Sequence, residues 1–213
     1  MYDMNKEKTD LKTAYALKTP QDSIELYGVW AASYDDDFAK ANDYQNPRQV
    51  ADIFAERNSG NFPILDIGAG TGLVGQGLAA HNLAPIDALD ISQPMLDVAM
   101  GKGCYRTPIL ADLTQSVDIS DNNYGGITSA GTFTHGHVGP DAIDELIRIA
   151  KPGALFVLGI NGEFYQSRGF EAKFTALVSV IRDFEILTTH GYGSGAPAEL
   201  QKAKSAVAVF WKR

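Results

Sequence analysis

The chain has 213 residues, 45% of them hydrophobic and 21% charged, enough for one domain that buries its own core without disulfide or metal staples. Its 26 acidic against 18 basic residues give a net charge of −8 with no basic cluster, which argues against nucleic-acid substrates and favours small-molecule chemistry. A single cysteine, Cys104, excludes an internal disulfide framework, and the longest near-continuous apolar run, 154–160, is far short of the roughly 20 residues that span a bilayer. The first ten residues carry charge throughout and no apolar stretch, so no secretory signal is expected and the cytoplasm is the expected compartment.

The first sixty residues read as helical. After a polar leader to Lys18, Pro20-Gln-Asp-Ser opens a segment in which Ile24, Leu26, Tyr27 and Trp30 follow helical spacing. Asp35-Asp36-Asp37 reads as a solvated turn, and Asn46-Pro47 opens another helix with Asn46 as its N-cap. From Gly60 on, β-rich runs alternate with helical stretches: strands at 63–67, 86–91, 105–110, 124–131 and 154–160, with helices at 73–80, 94–100, 141–150 and 163–181. Lys151-Pro152-Gly153 is a helix stop. Two strands, 184–190 and 206–211, close the chain without a helical pattern between them and should pair antiparallel. Alternation of this kind predicts an α/β fold with a parallel sheet and right-handed crossovers.

The most informative segment is Ile64-Leu-Asp-Ile-Gly-Ala-Gly-Thr-Gly-Leu-Val-Gly75, an apolar strand that runs through glycines into a helix. Such a junction lets a ligand approach backbone N–H groups closely. Two patterns overlap here. Gly70-Thr-Gly-Leu-Val-Gly75 fits the dinucleotide fingerprint with Asp90 near the expected distance, which leaves an NAD-linked oxidoreductase open. Asp66 followed by Gly68, Gly70 and Gly72 resembles motif I of class I S-adenosylmethionine (SAM) methyltransferases. The segment Asp90-Ile-Ser-Gln-Pro-Met-Leu96 resembles the region after that motif. Ala111-Asp112-Leu113, Tyr124–Gly131 and Lys151-Pro-Gly-Ala-Leu155 continue the likeness in order over about residues 47–160, although Asn123-Tyr124 stands where the family usually has an Asp-aromatic pair. With Tyr27, Trp30, Tyr34-Asp35 and the Thr-His-Gly-His-Val-Gly-Pro stretch, the chain is most similar to the Williams–Beuren syndrome region methyltransferase-like proteins.

The resemblance implies a Rossmann-like seven-stranded mixed sheet, its last strand pair antiparallel, with helices on both faces. It also implies an N-terminal helical lid over residues 1–46 and a methyltransferase domain over 47–213. SAM would be the cofactor and S-adenosylhomocysteine (SAH) the product, with no metal. Gly68, Gly70 and Gly72 would form the cofactor wall, Asp90 would take the ribose, and Ile91, Asp112 and Leu113 would hold the adenine. Asp66 would organise the loop or meet the ligand's ammonium. Asp90 and Asp112 also read as capping or turn aspartates. Tyr27, Trp30 and Tyr34 share a helical face, as a lid over the cofactor or as an ordinary apolar stripe, with Tyr34 the leading contact. The acceptor pocket is expected from Tyr27, Trp30, Phe133, Phe164 and Tyr165. His135 and His137 follow the fourth strand, and either suits a general base or a polar loop without a chemical task. A metal site at His-x-His lacks a third ligand. The expected activity is methyl transfer to a small-molecule acceptor by a monomer or homodimer, without nucleic acid or membrane. A non-catalytic SAM-binding module is the further alternative.

Overall fold

The computed structural model describes residues 11–213; the charged leader 1–10 lies outside them. Seven strands form one sheet: β1 (Ile64–Ile67), β2 (Ile86–Asp90), β3 (Thr107–Leu110), β4 (Tyr124–Phe133), β5 (Ala150–Asn161), β6 (Ile181–His190) and β7 (Lys204–Lys212). Their order is β3-β2-β1-β4-β5-β7-β6. All pairs among β1 to β5 are parallel, while β7 runs antiparallel to both β5 and β6. The chain winds outward from β1 to β3 and then returns to β4 on the other side of β1. That reversal opens a crevice at the carboxyl ends of β1, β2 and β4, where open α/β sheets bind ligands.

The strands alternate their side chains between two cores. Leu155 and Val157 pack with Val50, Phe54 and Leu78 on one face, whereas Phe156, Leu158 and Ile160 pack with Ile143, Leu146 and Phe170 on the other. The first face is covered by helices α3 (Asn46–Arg57) and α4 (Leu73–Ala80), and α5 (Gln93–Gly101) packs beside β2 and β3. The second core takes α6 (Ala142–Ile149), α7 (Gly162–Ser167) and α8 (Phe170–Ala176).

The amino-terminal helices α1 (Leu11–Tyr15) and α2 (Pro20–Trp30) build a third cluster. In it Leu26, Trp30 and Phe38 pack with Tyr192 and Ala196 from the connection between β6 and β7. A complete capping box starts α2: Thr19 Oγ1 accepts from Asp22 N–H, and Asp22 accepts from Thr19 N–H.

Several boundaries differ from the sequence reading. Asp35-Asp36-Asp37 is no free turn but the start of a π-helical turn, Asp35–Lys40, anchored by the packing of Phe38. Gln45 takes the N-cap position expected for Asn46, whose buried side chain turns inward to Tyr44. The predicted helix over 163–181 is two short helices, because Gly169 adopts φ +80° between them. Lys151-Pro152-Gly153 ends α6 but lies inside β5, at a register shift between the pairs Tyr124/Ala150 and Gly126/Leu155. The connection between β6 and β7 contains the one-turn helix α9 (Ala198–Gln201).

Candidate active site

β1 is buried along its whole length and ends at the glycine loop. Gly68, Gly70 and Gly72 all have left-handed backbone, but their surroundings differ. A Cβ at Gly68 would stand 2.0 Å from Thr132 Oγ1, and one at Gly72 would stand 2.8 Å from the Tyr105 ring. A Cβ at Gly70 would meet nothing within 4 Å. Two of the glycines therefore admit neighbouring side chains, while Gly70 faces open space.

Asp90, at the end of β2, fixes that loop. Its Oδ2 accepts from Gly70 N–H at 2.8 Å and its Oδ1 from Ser92 N–H at 2.8 Å. Burial raises the pKa of this carboxyl against the opposing pull of those N–H groups. Asp66 lies beneath the loop, fully buried. It accepts from the Tyr105 hydroxyl at 2.6 Å, and the same hydroxyl accepts from Gly75 N–H at 3.0 Å. Burial pushes the Asp66 carboxyl up to about 7.

A cavity of about 380 Å³ opens over the loop. It gathers most of the expected cofactor residues: Tyr34, Gly68, Gly70, Asp90, Ile91, Asp112 and Leu113, together with Tyr27 and His137. Asp112 Oδ1 accepts from Thr114 N–H at 2.8 Å, so the turn role expected for this aspartate is present, and the residue lines the cavity as well.

The other expected residues lie elsewhere. Asp66 and Gly72 are turned toward Tyr105, away from the cavity, and Trp30 is packed behind Tyr27 and Tyr34. Phe133, Phe164 and Tyr165 belong to the core on the far face, each against Phe170. For Phe133 the cause is a register shift in β4 between Ala130 and Phe133, where Gly131 takes φ +89°. The bulge aims Thr132 at the glycine loop, its Oγ1 donating to Ile67 C=O at 2.9 Å, and sends Phe133 into the core.

The two histidines part in the same way. The His135 ring packs between Tyr15 and Phe164, outside the cavity, and its Nδ1 has no hydrogen-bond partner among the described residues. His137 lines the cavity. Its Nδ1 lies 2.7 Å from His135 C=O and its Nε2 lies 2.9 Å from Tyr27 Oη. A carbonyl only accepts, so Nδ1 carries the proton, and Nε2 accepts from the Tyr27 hydroxyl. Burial lowers the His137 pKa and favours this neutral form. Among the described residues, no group of three or more His, Cys, Asp or Glu could hold a metal ion, and no helix is long and apolar enough to cross a membrane.

Several cavity residues escaped sequence reasoning. Lys18, Thr19, Pro20 and Ser23 reach it through the amino terminus of α2, and Tyr44 and Thr71 through contacts far apart in sequence. Pro20-Gln-Asp-Ser signalled where α2 begins, but nothing signalled what its first turn would face. Asp35 accepts from Thr71 Oγ1 and from Lys102 Nζ, both at 2.5 Å, tying the π-helical turn to the glycine loop and to α5.

Residues 65–158 match the family described as "Methyltransferase domain". Human Methyltransferase-like protein 27 is 30% identical over 152 residues, spanning 70% of this chain and 61% of that protein, so the match covers about three fifths of the curated relative's length. A SAM-dependent methyltransferase from Aquifex aeolicus shares the fold at 19% identity with a TM-score of 0.56, covering 82% of this chain and 94% of its own. The (4+2)-cyclase SpnF also shares it, at 16% identity with a TM-score of 0.66, covering 92% of this chain and 97% of its own. The strand order, the glycine loop with its strand-end aspartate and the matched segment agree: over residues 65–158 this chain is similar to the methyltransferase domain.

Proposed function

We propose that the protein binds SAM in the large cavity and transfers its methyl group to a small-molecule acceptor. The observation that carries this reading is the junction of Gly70 and Asp90. Gly70 leaves space where any side chain would intrude, and Asp90 borders that space with a carboxylate only half satisfied. A carboxylate has about four lone-pair sites. Two accept from Gly70 and Ser92, which leaves two for the vicinal hydroxyls of a ribose. Ile91 and Leu113 offer apolar surface to the adenine, with Asp112 at its edge. Tyr34 and Tyr27 border the methionine end, where their rings would attract a sulfonium. When bound, SAM supplies an electrophilic methyl group.

The protein's own residues contribute position and a proton acceptor. In our reading residues 1–46 act as a lid on the domain formed by 47–213, and the lid excludes water from the transfer. His137 is the candidate base and His135 a support for it through its carbonyl oxygen. The acceptor is a small molecule rather than nucleic acid, consistent with the net charge of −8.

Calorimetry decides the cofactor. SAH should bind and NAD should not, and Asp90→Ala should weaken SAH by roughly ten- to a hundredfold, the value of a charge-assisted hydrogen bond. Tight NAD binding, or unchanged SAH affinity in a folded Asp90→Ala protein, would overturn the reading.

A further inference from the structure

Behind the large cavity lies a second one of about 70 Å³. Tyr27, Tyr34, Tyr44 and Gly131 line both, so the two spaces adjoin at these residues. Trp30, Phe38 and Tyr192 add to the wall of the smaller space. A water molecule occupies about 30 Å³ of liquid. The chamber therefore suits the end of a molecule, two or three heavy atoms, whose remainder lies in the large cavity.

The polar groups on this wall are unusual. Trp30, Asn46 and Thr134 line the chamber, and each is more than nine-tenths buried. Trp30 Nε1, Asn46 Oδ1 and Thr134 Oγ1 have no hydrogen-bond partner among the described residues. Buried polar atoms left unpaired are costly, so three in one small space point to a missing occupant. Their types are informative. The indole N–H only donates, the amide oxygen only accepts, and the hydroxyl does both. An occupant that satisfies all three must itself both donate and accept.

Charge narrows the class. Among the described residues lining the chamber there is no carboxylate, and Lys204 is the one charged side chain. Burial raises the pKa of Tyr27, Tyr34, Tyr44 and Tyr192, so their phenols stay neutral and supply no anion. An ammonium group would be buried here without a counter-ion.

We infer that the smaller chamber seats the reacting end of the methyl acceptor, and that this end is an uncharged hydroxyl. The inference rests on the methyl-transfer reading above. It moves the acceptor from Phe133, Phe164 and Tyr165, where the sequence pointed, to the opposite side of β4. Tyr27 lines the chamber and donates its hydroxyl proton to His137 Nε2. The acceptor O–H passes its proton to Tyr27 Oη as Tyr27 passes its own to His137 Nε2. The imidazole becomes imidazolium, with Nδ1–H still held by His135 C=O. The acceptor oxygen keeps an electron pair with which it would bond the methyl group as the C–S bond breaks, that bond's pair staying on the sulfur of SAH.

Fluorescence gives a test that does not depend on turnover. The chain has two tryptophans, Trp30 and Trp211, so Trp211→Phe leaves the chamber's own tryptophan as the sole reporter. This full-length variant, saturated with SAH, is titrated with phenol, benzylamine and benzoate. Phenol should change Trp30 emission saturably and bind at least tenfold tighter than either charged probe. Thr134→Val and Asn46→Leu should each weaken phenol about tenfold while SAH affinity stays within twofold. Using two variants guards against one failing to fold. Benzylamine or benzoate binding as tightly as phenol would overturn the hydroxyl assignment. Normal SAH binding with no probe reaching Trp30 would overturn the seat itself. Failure to bind SAH would instead strike the cofactor reading.

Discussion

Asp66 and Asp90 stand at the ends of adjacent parallel strands, and both look like ligand carboxylates in the sequence. The structure separates them by what each one touches. Asp90 binds two backbone N–H groups and borders the cavity; Asp66 binds a tyrosine hydroxyl below the loop. Nothing in the sequence could distinguish the two, because β1 and β2 are buried on both faces and show no alternation to reveal a direction. The Asp66 carboxyl, pushed by burial from 3.8 to about 7, gives a testable pH signature. Folded protein keeps its proton while unfolded chain releases it above about pH 4, so the unfolded state binds fewer protons in between. The contribution of this group is full below pH 4 and is lost as pH rises through about 7. Asp66→Asn keeps an oxygen for the Tyr105 hydroxyl and removes the titration. Denaturant unfolding at pH 5 and pH 8 should show the variant gaining on wild type by up to a few kcal/mol over that interval. Identical pH slopes for the two proteins would rule the shift out.

At the scale of elements, the alternation of strands and helices, the antiparallel last pair and the glycine loop were legible, and breaks within elements were not. Helical and strand periodicity span many residues and survive local irregularity. The β4 bulge, the helix break at Gly169 and the π-helical turn each depend on a single backbone choice that tertiary packing makes. The bulge mattered most, because reading 124–131 as a regular strand put Phe133 into the site and left Thr132 out. The glycine motif has the same limit: it announces a tight loop without saying which glycine meets a ligand. Substitution by alanine should sort them. Gly70→Ala adds a methyl group in open space at φ +54°, so folding should lose only about 1–2 kcal/mol while SAH affinity falls at least tenfold. Gly75→Ala would put Cβ 2.2 Å from the Tyr105 ring, forcing that ring away from Asp66 and from Gly75 N–H. Its main effect should be on stability, about 1–3 kcal/mol by overpacking. Melting curves and SAH titrations on both variants separate the roles, and equal effects on binding and folding would contradict them.

Across the whole molecule, the amino-terminal segment is held at two places of different character. At its hinge end Tyr44 bridges Tyr192, Gln45 N–H donates to Gly191 C=O, and Asp43 accepts from Gly195 N–H, so the chain is sewn to the connection between β6 and β7. Over the cavity the fastenings are side chains only: Tyr27 on His137, and Asp35 on Thr71 and Lys102. Aromatic spacing made the clustering of Tyr27, Trp30 and Tyr34 legible, and the three rings pack on one another. Asp35 was hidden inside a run of three aspartates that read as solvent-facing, because its partners lie 36 and 67 residues away. This arrangement predicts a segment that opens at the cavity and stays attached at the hinge. Asp35→Ala removes the ion pair with Lys102 and the hydrogen bond from Thr71 but leaves the aromatic cluster and the backbone pairings intact. A partly exposed ion pair contributes about 1 kcal/mol or less, so the melting temperature should move little. The same amount spent on closure would raise the SAH dissociation rate about fivefold and speed amide exchange selectively in α2, with the hinge amides of Gln45 and Gly193 unchanged. Stopped-flow displacement of SAH and hydrogen-exchange mass spectrometry measure the two effects independently. Faster exchange spread evenly over the sheet would mean that Asp35 supports the fold as a whole, and unchanged exchange in α2 would mean that it fastens nothing.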